Sequence, residues 1–389
     1  MSLGNPNVVL VRYSSDITLK SKHVRGKFEK ALIKHIEFFL NKSNVKYSRI
    51  RREGGRVFIY TDKVDDACKS LRKVFGIVSI SPVIEVSNDL DVIVQSVVNF
   101  SNRFLRSGMG FAVRVRRVKS YPYTSKDVEK ILGSKILEKH SDVKVDLENP
   151  DITIYVEIRE RKAYIFKDIY MGYGGMPYGV EGRLLSLLSG GVDSALAAWM
   201  AMKRGCMLDF IHFKLFPYYS DMAFKRFNEV IYWLKDWIPR KRVKVFLIDF
   251  GKIHSEIKEI DVKYRCILCK ALIYTLSEKI AIEHSYQGLI SGESIGQVAS
   301  QTLDNLTFLT SLIKIPIFRP LIGFDKEEIL SKAREIGLYE IAARDVGKCL
   351  LKPSKPATRI RRLDIIEKIS SYTEYYGNNY QKYLEVKFI

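Results

Sequence analysis

Ser189-Gly190-Gly191-Val192-Asp193-Ser194 joins the apolar run Leu184-Leu185-Ser186-Leu187-Leu188 to a helical pattern, Ala195 to Lys203, that stops at Gly205. Strand, glycine turn and helix in that order aim backbone N–H groups and the positive end of a helix dipole at an anion. Gly190 and Gly191 let the backbone approach a phosphate closely, and the Ser189 and Ser194 hydroxyls add donors. No Gly-Lys-Ser/Thr follows at the spacing of a Walker loop. A plain strand-to-helix turn of an ordinary α/β domain has the same outline. Asp193 suits a divalent cation or the loop itself, and equally suits capping its own helix.

A second group of residues carries sulfur. Cys266-Ile267-Leu268-Cys269 stands at a predicted helix start, and Cys349 lies far downstream in Gly347-Lys348-Cys349-Leu350. Thiolates at i and i+3 share a helix face and reach one metal centre. A redox pair, a metal site and coincidence all fit a single CxxC. Cys68 and Cys206 stand among apolar neighbours and read as core fillers.

These residues need a frame. Over residues 8–86 the pattern reads β-α-β-β-α-β: a strand Val8 to Tyr13, a helix Arg25 to Leu40, strands on both sides of Gly54-Gly55, a helix Asp65 to Val74, and a strand Val78 to Val86. That order is the ferredoxin-like split βαβ. Residues 87–170 form a second unit, with helices Leu90 to Leu105 and Ser125 to His140. Its strands are Phe111 to Arg116, Ile152 to Ile158 and Ala163 to Ile169, the last two turning at Glu160-Arg161. Alternation puts Arg114 and Arg116 on one face of a strand whose other face is core. Gly172 to Gly179 reads as a linker. Beyond it, strands at 184–188, 207–213, 243–249 and 287–291 alternate with helices, the signature of a doubly wound parallel sheet. Ligands of such sheets sit beyond the strand C-termini, where the SGGVDS loop falls. The expected domains are therefore 1–86, 87–170 and 171–389.

Charge points to the partner. The 389 residues carry a formal net charge of +20, and residues 1–73 hold 17 Lys/Arg against 7 Asp/Glu. That balance implies a polyanion, nucleic acid above all. Lys20, Lys22, Arg25, Arg51 and Arg52, with Arg114 and Arg116, are the candidate RNA contacts. No run approaches the ~18 apolar residues of a membrane span, and the N-terminus lacks the basic-then-apolar order of a signal peptide. Five cysteines are too few and too scattered for a disulfide framework. A cytoplasmic chain with no membrane partner is the expectation.

SGG-x-DS resembles the PP-loop of ATP pyrophosphatases, which cleave between the α and β phosphates and adenylate a substrate. The segments Gly288 to Thr302 (GLISGESIGQVASQT) and Arg319 to Lys326 (RPLIGFDK) are similar to hallmark segments of tRNA 4-thiouridine synthetases. The SGGVDS loop, the Gly-rich segment before it and Lys203-Arg204-Gly205 also match that family. Two departures stand out: Val192 and Ala195 replace the usual Ile and Pro, and Ser15-Asp16 stands where Gly-Glu is typical. The resemblance implies a ferredoxin-like N-terminal domain, a THUMP RNA-binding α+β domain (its start near 62 or 87) and a PP-loop α/β domain. Bacterial members often append a rhodanese domain, and none is expected within this chain.

The resemblance also implies the chemistry. Uracil O4 would be adenylated by ATP, with Mg²⁺ beside the phosphates, and a sulfur nucleophile would then displace AMP to give 4-thiouridine in tRNA. ATP contacts carried over by motif are Leu187, Leu188, Ser189, Gly190, Gly191, Asp193 and Ser194 in and before the loop. His212 and Phe213 at the end of the second strand, Lys270, Gly292 and Gln301 complete them. Similar archaeal-type enzymes hold an iron–sulfur cluster on a CxxC pair and a distant cysteine, here Cys266, Cys269 and Cys349. A persulfide on Cys349 resolved by a CxxC cysteine is the alternative, and structural thiols or zinc a third. The sulfur donor would be sulfide or a persulfide carrier, the docking region the tRNA acceptor stem, and the assembly a homodimer. Another PP-loop reaction (2-thiolation or amidation) and a non-catalytic RNA-binding protein are the rival functions.

Overall fold

The β-α-β-β-α-β order of the first segment is present, as β1 (Val8–Tyr13), β2 (Arg49–Glu53), β3 (Arg56–Tyr60) and β4 (Ile77–Ser87), with helices Lys22–Lys42 and Val64–Leu71. The computed structural model describes residues 6–118, 122–257 and 260–389, and the chain divides into two units, Met1–Gly175 and Met176–Ile389. Strands run β2-β3-β1-β4 with every neighbour antiparallel, the ferredoxin-like arrangement. Phe28, Leu32, Ile36 and Phe39 bury one stripe of the Lys22–Lys42 helix, as their spacing requires. Gly54 and Gly55, both at positive φ, make the β2–β3 turn.

β4 is long enough to serve twice. Its first half pairs with β1, while residues 84–87 pair with β8 (Lys162–Phe166). The same sheet then continues through β7 (Ile152–Ile158), β5 (Gly110–Arg117) and the two-residue β6 (Lys144–Val145). Helices Leu90–Ser101 and Ser125–Lys139 lay Ile93, Val97, Val128 and Leu132 on Phe111, Val113, Ile154 and Val156. The first of these helices stops at Ser101, four residues short of the expected end. β8 likewise ends at Phe166, and β9 (Tyr170–Met171) pairs back on β4. The expected linker is partly tied down, because the Gly172 and Gly174 amides bond the Val78 and Ile77 carbonyls.

In the second unit β10 (Arg183–Leu187), β11 (Met207–Lys214), β12 (Lys244–Asp249), β13 (Leu289–Ile290), β14 (Ile317–Phe318) and β15 (Leu384–Phe388) form one sheet in the order β14-β13-β10-β11-β12-β15. All neighbours are parallel except β12 and β15. The parallel reading therefore needs one correction: the chain's last segment closes the sheet as an antiparallel edge strand. Strand order reverses at β10, with β11 on one side and β13 on the other. That switch point is where ligands enter doubly wound sheets. The loops that follow β10 and β13 flank it.

Candidate active site

β10 delivers the loop to this crevice, and the loop's own hydroxyls brace it. Ser189 N–H donates to Ser194 Oγ at 3.2 Å, the two serine hydroxyls lie 3.0 Å apart, and Ser194 Oγ donates to the Gly191 carbonyl at 3.1 Å. Gly190 sits at φ +83, and a Cβ there would fall 2.7 Å from Phe227 Cα. Helix Val192–Lys203 begins after Gly191 with no side-chain cap. Its first amides are thus left for an anion.

The uncapped start overturns one reading of Asp193, that it caps its own helix. Asp193 sits one residue inside the helix, and its carboxylate accepts from Lys326 Nζ at 2.7 Å and Gln297 Nε2 at 3.0 Å. Gly292 makes this junction possible. A Cβ at that position would fall 2.5 Å from the Asp193 carbonyl and the Ser194 amide. The segments after β10, after β13 and at the start of helix Lys326–Glu335 therefore meet at one carboxylate. Gln297 and Lys326 were within the quoted hallmark segments, but no spacing rule predicts that they meet Asp193.

Beside the loop lies a cavity of about 440 Å³ whose lining includes Leu187, Leu188, Ser189, His212, Phe213 and Cys269. His212 is buried, stacks on Phe227 with centroids 3.9 Å apart, and donates from Nδ1 to the Leu188 carbonyl at 2.9 Å. Burial lowers its pKa to about 4, so the ring is neutral at physiological pH. It is both a satisfied core histidine and a wall of the cavity. Gln301 closes the short 3-10 turn Ala299–Gln301, and its buried side-chain oxygen has no partner among the described residues.

Lys270 does not line this cavity. Its ammonium pairs with the buried Glu293, which also accepts from the Tyr274 hydroxyl and from Arg319 Nε at 2.9 Å. Burial alone would raise the Glu293 pKa, yet the charge of Lys270 and hydrogen bonds from Lys270, Tyr274 and Arg319 hold it down at about 2. A carboxylate held below its unfolded value of 4.5 contributes stability that is complete above that pH and is lost as pH falls toward 2. Glu293→Ala leaves two half-buried cations without their buried anion and should cost about 3 kcal/mol, the low end for a broken buried pair. A thermal melt against the wild type checks this, and an unchanged Tm would remove the cluster from the account of stability.

All five cysteines are free thiols. Cys266 and Cys269 lie in the first turns of helix Arg265–Glu283. The irregular stretch bearing Cys349 is pinned by Leu350 N–H to the Tyr218 carbonyl at 2.8 Å and Ala357 N–H to the Lys263 carbonyl at 2.9 Å. Burial raises the Cys269 pKa, and the neighbouring Cys266 and Cys349 raise it further. Burial and Cys349 also raise Cys266, against the pull of Lys352 and Lys270. The three thiols thus share one electrostatic neighbourhood, with Cys269 on the cavity wall. Among the described residues no three His, Cys, Asp or Glu side chains are placed to hold a single metal ion. Three cysteine thiolates are soft donors of the kind that iron–sulfur clusters take, and zinc takes them as well. Cys68 is buried, and burial pushes its pKa up to about 12; Cys206 is only half-buried.

The basic candidates divide by environment. Lys20, Lys22, Arg114 and Arg116 are exposed. Arg25 and Arg52 both pair with Glu29, at 2.8 and 3.0 Å. Arg51 pairs with Glu53 and Glu85 at 3.1 and 3.3 Å, hydrogen-bonds the Tyr164 hydroxyl and covers the Phe58 ring. Arg51 is thus a brace of the first sheet.

Three family models match the chain: the ThiI ferredoxin-like domain over residues 8–81, the THUMP domain over 87–168, and thiamine biosynthesis protein (ThiI) over 179–374. A probable tRNA sulfurtransferase of Methanosarcina acetivorans is 38% identical over 92% of this chain and 87% of its own length. One of Caldanaerobacter subterraneus is 35% identical over 97% of each. Among solved structures, a 4-thiouridine synthetase in complex with RNA and bound ATP superposes with a TM-score of 0.83 at 32% identity, covering 98% of this chain and 99% of that one.

Proposed function

The chain belongs to the ThiI family of tRNA sulfurtransferases, and from that premise we infer that it is an ATP-dependent enzyme converting a uridine of tRNA into 4-thiouridine. The observation that carries the reading is the Asp193 junction beside a cavity walled by Leu187, Leu188, His212 and Cys269. An anion cradle, an apolar slot for a nucleoside and a thiol occupy one crevice.

Uracil O4 attacks the α-phosphorus of ATP, and the bond to the bridging oxygen breaks to release pyrophosphate. Sulfur then attacks C4, and AMP departs with the original oxygen. The uncapped amides at the start of helix Val192–Lys203 hold the pyrophosphate charge as it develops. Lys326, held at Asp193, adds a cation within reach of the same phosphates. Leu187, Leu188, Phe213 and the neutral His212 enclose adenosine, and Gln301 contributes a free acceptor. Gly292 keeps the loop and the segment after β13 in register. Mg²⁺ would share the phosphate charge through oxygen ligands, Asp193 being the carboxylate of the loop.

Cys266, Cys269 and Cys349 would hold an iron–sulfur cluster, which when bound supplies the sulfur nucleophile beside the adenylate; persulfide chemistry on Cys349 is the competing route. The basic surface of residues 1–170, with Lys20, Lys22, Arg114 and Arg116 exposed, docks the acceptor-stem region of tRNA. Cytoplasmic residence and a homodimer belong to the same proposal. No helix among the described residues is long and apolar enough to cross a membrane, and exposed Ile295, Leu303 and Phe318 suit a second copy of the chain.

Mass spectrometry of tRNA nucleosides after reaction with ATP and sulfide tests the reading. We expect 4-thiouridine with stoichiometric AMP and pyrophosphate. A 2-thiolated or amidated product, or binding without turnover, would replace it.

A further inference from the structure

The Met1–Gly175 unit gathers more guanidinium than nearby carboxylate neutralises. Glu157, buried on β7, accepts from Arg159 Nε at 2.8 Å and lies 3.4 Å from Arg56 Nε. Arg159 also lies 3.6 Å from Glu53. Those carboxylates are therefore already engaged. Arg12, partly buried on β1, has neutral partners instead: it donates to the Ser81 hydroxyl at 3.0 Å and the Ser79 hydroxyl at 3.5 Å. Its guanidinium lies 4.8 Å from the centre of the Phe166 ring. Among the described residues no carboxylate oxygen stands within ion-pair distance of Arg12 or Arg116. Burial lowers the Arg12 pKa to about 10; Glu157 opposes the fall, and Arg56, Arg116 and Arg159 deepen it.

Arg12 faces a cavity of about 230 Å³ shared with Arg114, Arg116, Tyr155, Phe166 and Glu157. Arg114 and Arg116 are exposed on β5, and Arg114 is steadied by a 2.6 Å bond to the Leu147 carbonyl. Tyr155 and Phe166 stack with centroids 5.2 Å apart and give the cavity a rigid wall. A cation partly removed from water with no carboxylate in ion-pair distance is costly, and a cavity lies in front of this one. A guanidinium fork offers paired donors that match the oxygens of a phosphate.

We propose that this cavity is a seat for one phosphate group, held by Arg12 within and Arg116 at the rim. The group is either a phosphodiester of bound RNA or a free phosphate. The proposal deepens the reading of this unit as the RNA-docking part and rests on it only for the first source. Glu157 does not repel the ligand, because Arg56 and Arg159 already neutralise it. Arg12 is held in place before binding by two serines and a ring, so little side-chain entropy is lost on contact.

The experiment uses the full-length chain as wild type, Arg12→Met and Arg116→Gln, each checked for folding by a thermal melt. Binding of a tRNA transcript is followed by fluorescence anisotropy across a salt series, and inorganic phosphate is titrated by calorimetry. Each variant should weaken tRNA binding roughly tenfold and reduce the slope of log K against log salt by about one. Phosphate heat present in the wild type and absent from Arg12→Met identifies a free phosphate as ligand. A reduced slope without such heat identifies the RNA backbone. If Arg12→Met does not fold, Arg116→Gln decides, since its side chain is exposed. Wild-type affinity and slope in the folded variants, with no phosphate heat, would overturn the seat while leaving the function untouched. A wild-type protein that ignores tRNA would instead count against the RNA-docking reading, and the phosphate titration would still judge the seat.

Discussion

Asp193→Ala should abolish tRNA thiolation while leaving tRNA affinity unchanged. The carboxylate holds Lys326 and Gln297, two residues reached only after more than a hundred further positions of chain, against the start of the loop helix. Its removal frees the lysine and loosens the segment after β13 from the amides proposed to receive pyrophosphate. Losing a single preorganised donor at a developing anion costs about 10²–10³ in rate, and here a cation and the loop geometry are disturbed together. RNA docking is assigned to the other unit, so binding has no reason to change. Asp193→Asn keeps the size and the bond to Gln297 but not the charge facing Lys326, so it should fall between. Rates of thiolation with saturating ATP, set beside anisotropy with tRNA, make the test. Wild-type turnover in Asp193→Ala would move the active site elsewhere.

The second large effect concerns sulfur. Replacing Cys266, Cys269 and Cys349 together by alanine should stop sulfur transfer and leave pyrophosphate release in place. Cys269 lines the cavity, whereas the phosphate contacts proposed above lie in the loop and the segment after β13. Measuring pyrophosphate and 4-thiouridine in the same reaction separates the two half-reactions. Iron and sulfide added anaerobically should give a cluster absorbance in the wild type and none in the triple variant. A gain of one sulfur in the mass of Cys349 after incubation with a persulfide donor, which hands over its outer sulfur and leaves as a thiol, without that absorbance, would favour the persulfide route. Thiolation from sulfide at the wild-type rate by the triple variant would reject both.

What the chain disclosed in advance follows from how far each signal reaches. The SGGVDS turn and the apolar–basic alternation of β5 are local, since a few neighbouring residues decide a glycine turn or an exposed face. Helix and strand ends were less legible. The Leu90–Ser101 helix ends before an apolar pair, Phe104 and Leu105, that packs on the core from a turn and so continues the apolar pattern without the backbone. β15 was missed because an edge strand needs its partner, and β12 lies more than a hundred residues earlier. The roles of Arg51, Gln297 and Lys326 were invisible for the same reason: a charge seen in sequence carries no record of whether a carboxylate faces it. Lys270 shows the limit of transfer by motif, for its ammonium pairs with Glu293 and does not line the cavity.

Gly190 and Gly292 are places where backbone touches backbone, at 2.7 Å from Phe227 Cα and 2.5 Å from Asp193 and Ser194 to any added carbon. Rotamers cannot relieve such contacts, because no side chain is there to swing away. Mutational tolerance around the crevice is therefore inverted relative to an ordinary polar site. Exchanges among hydroxyl or amide side chains change one bond, whereas the smallest possible enlargement, a methyl group, displaces a strand-to-helix turn. The crevice can drift in its chemistry, through the serines and Gln301, far more readily than in its shape.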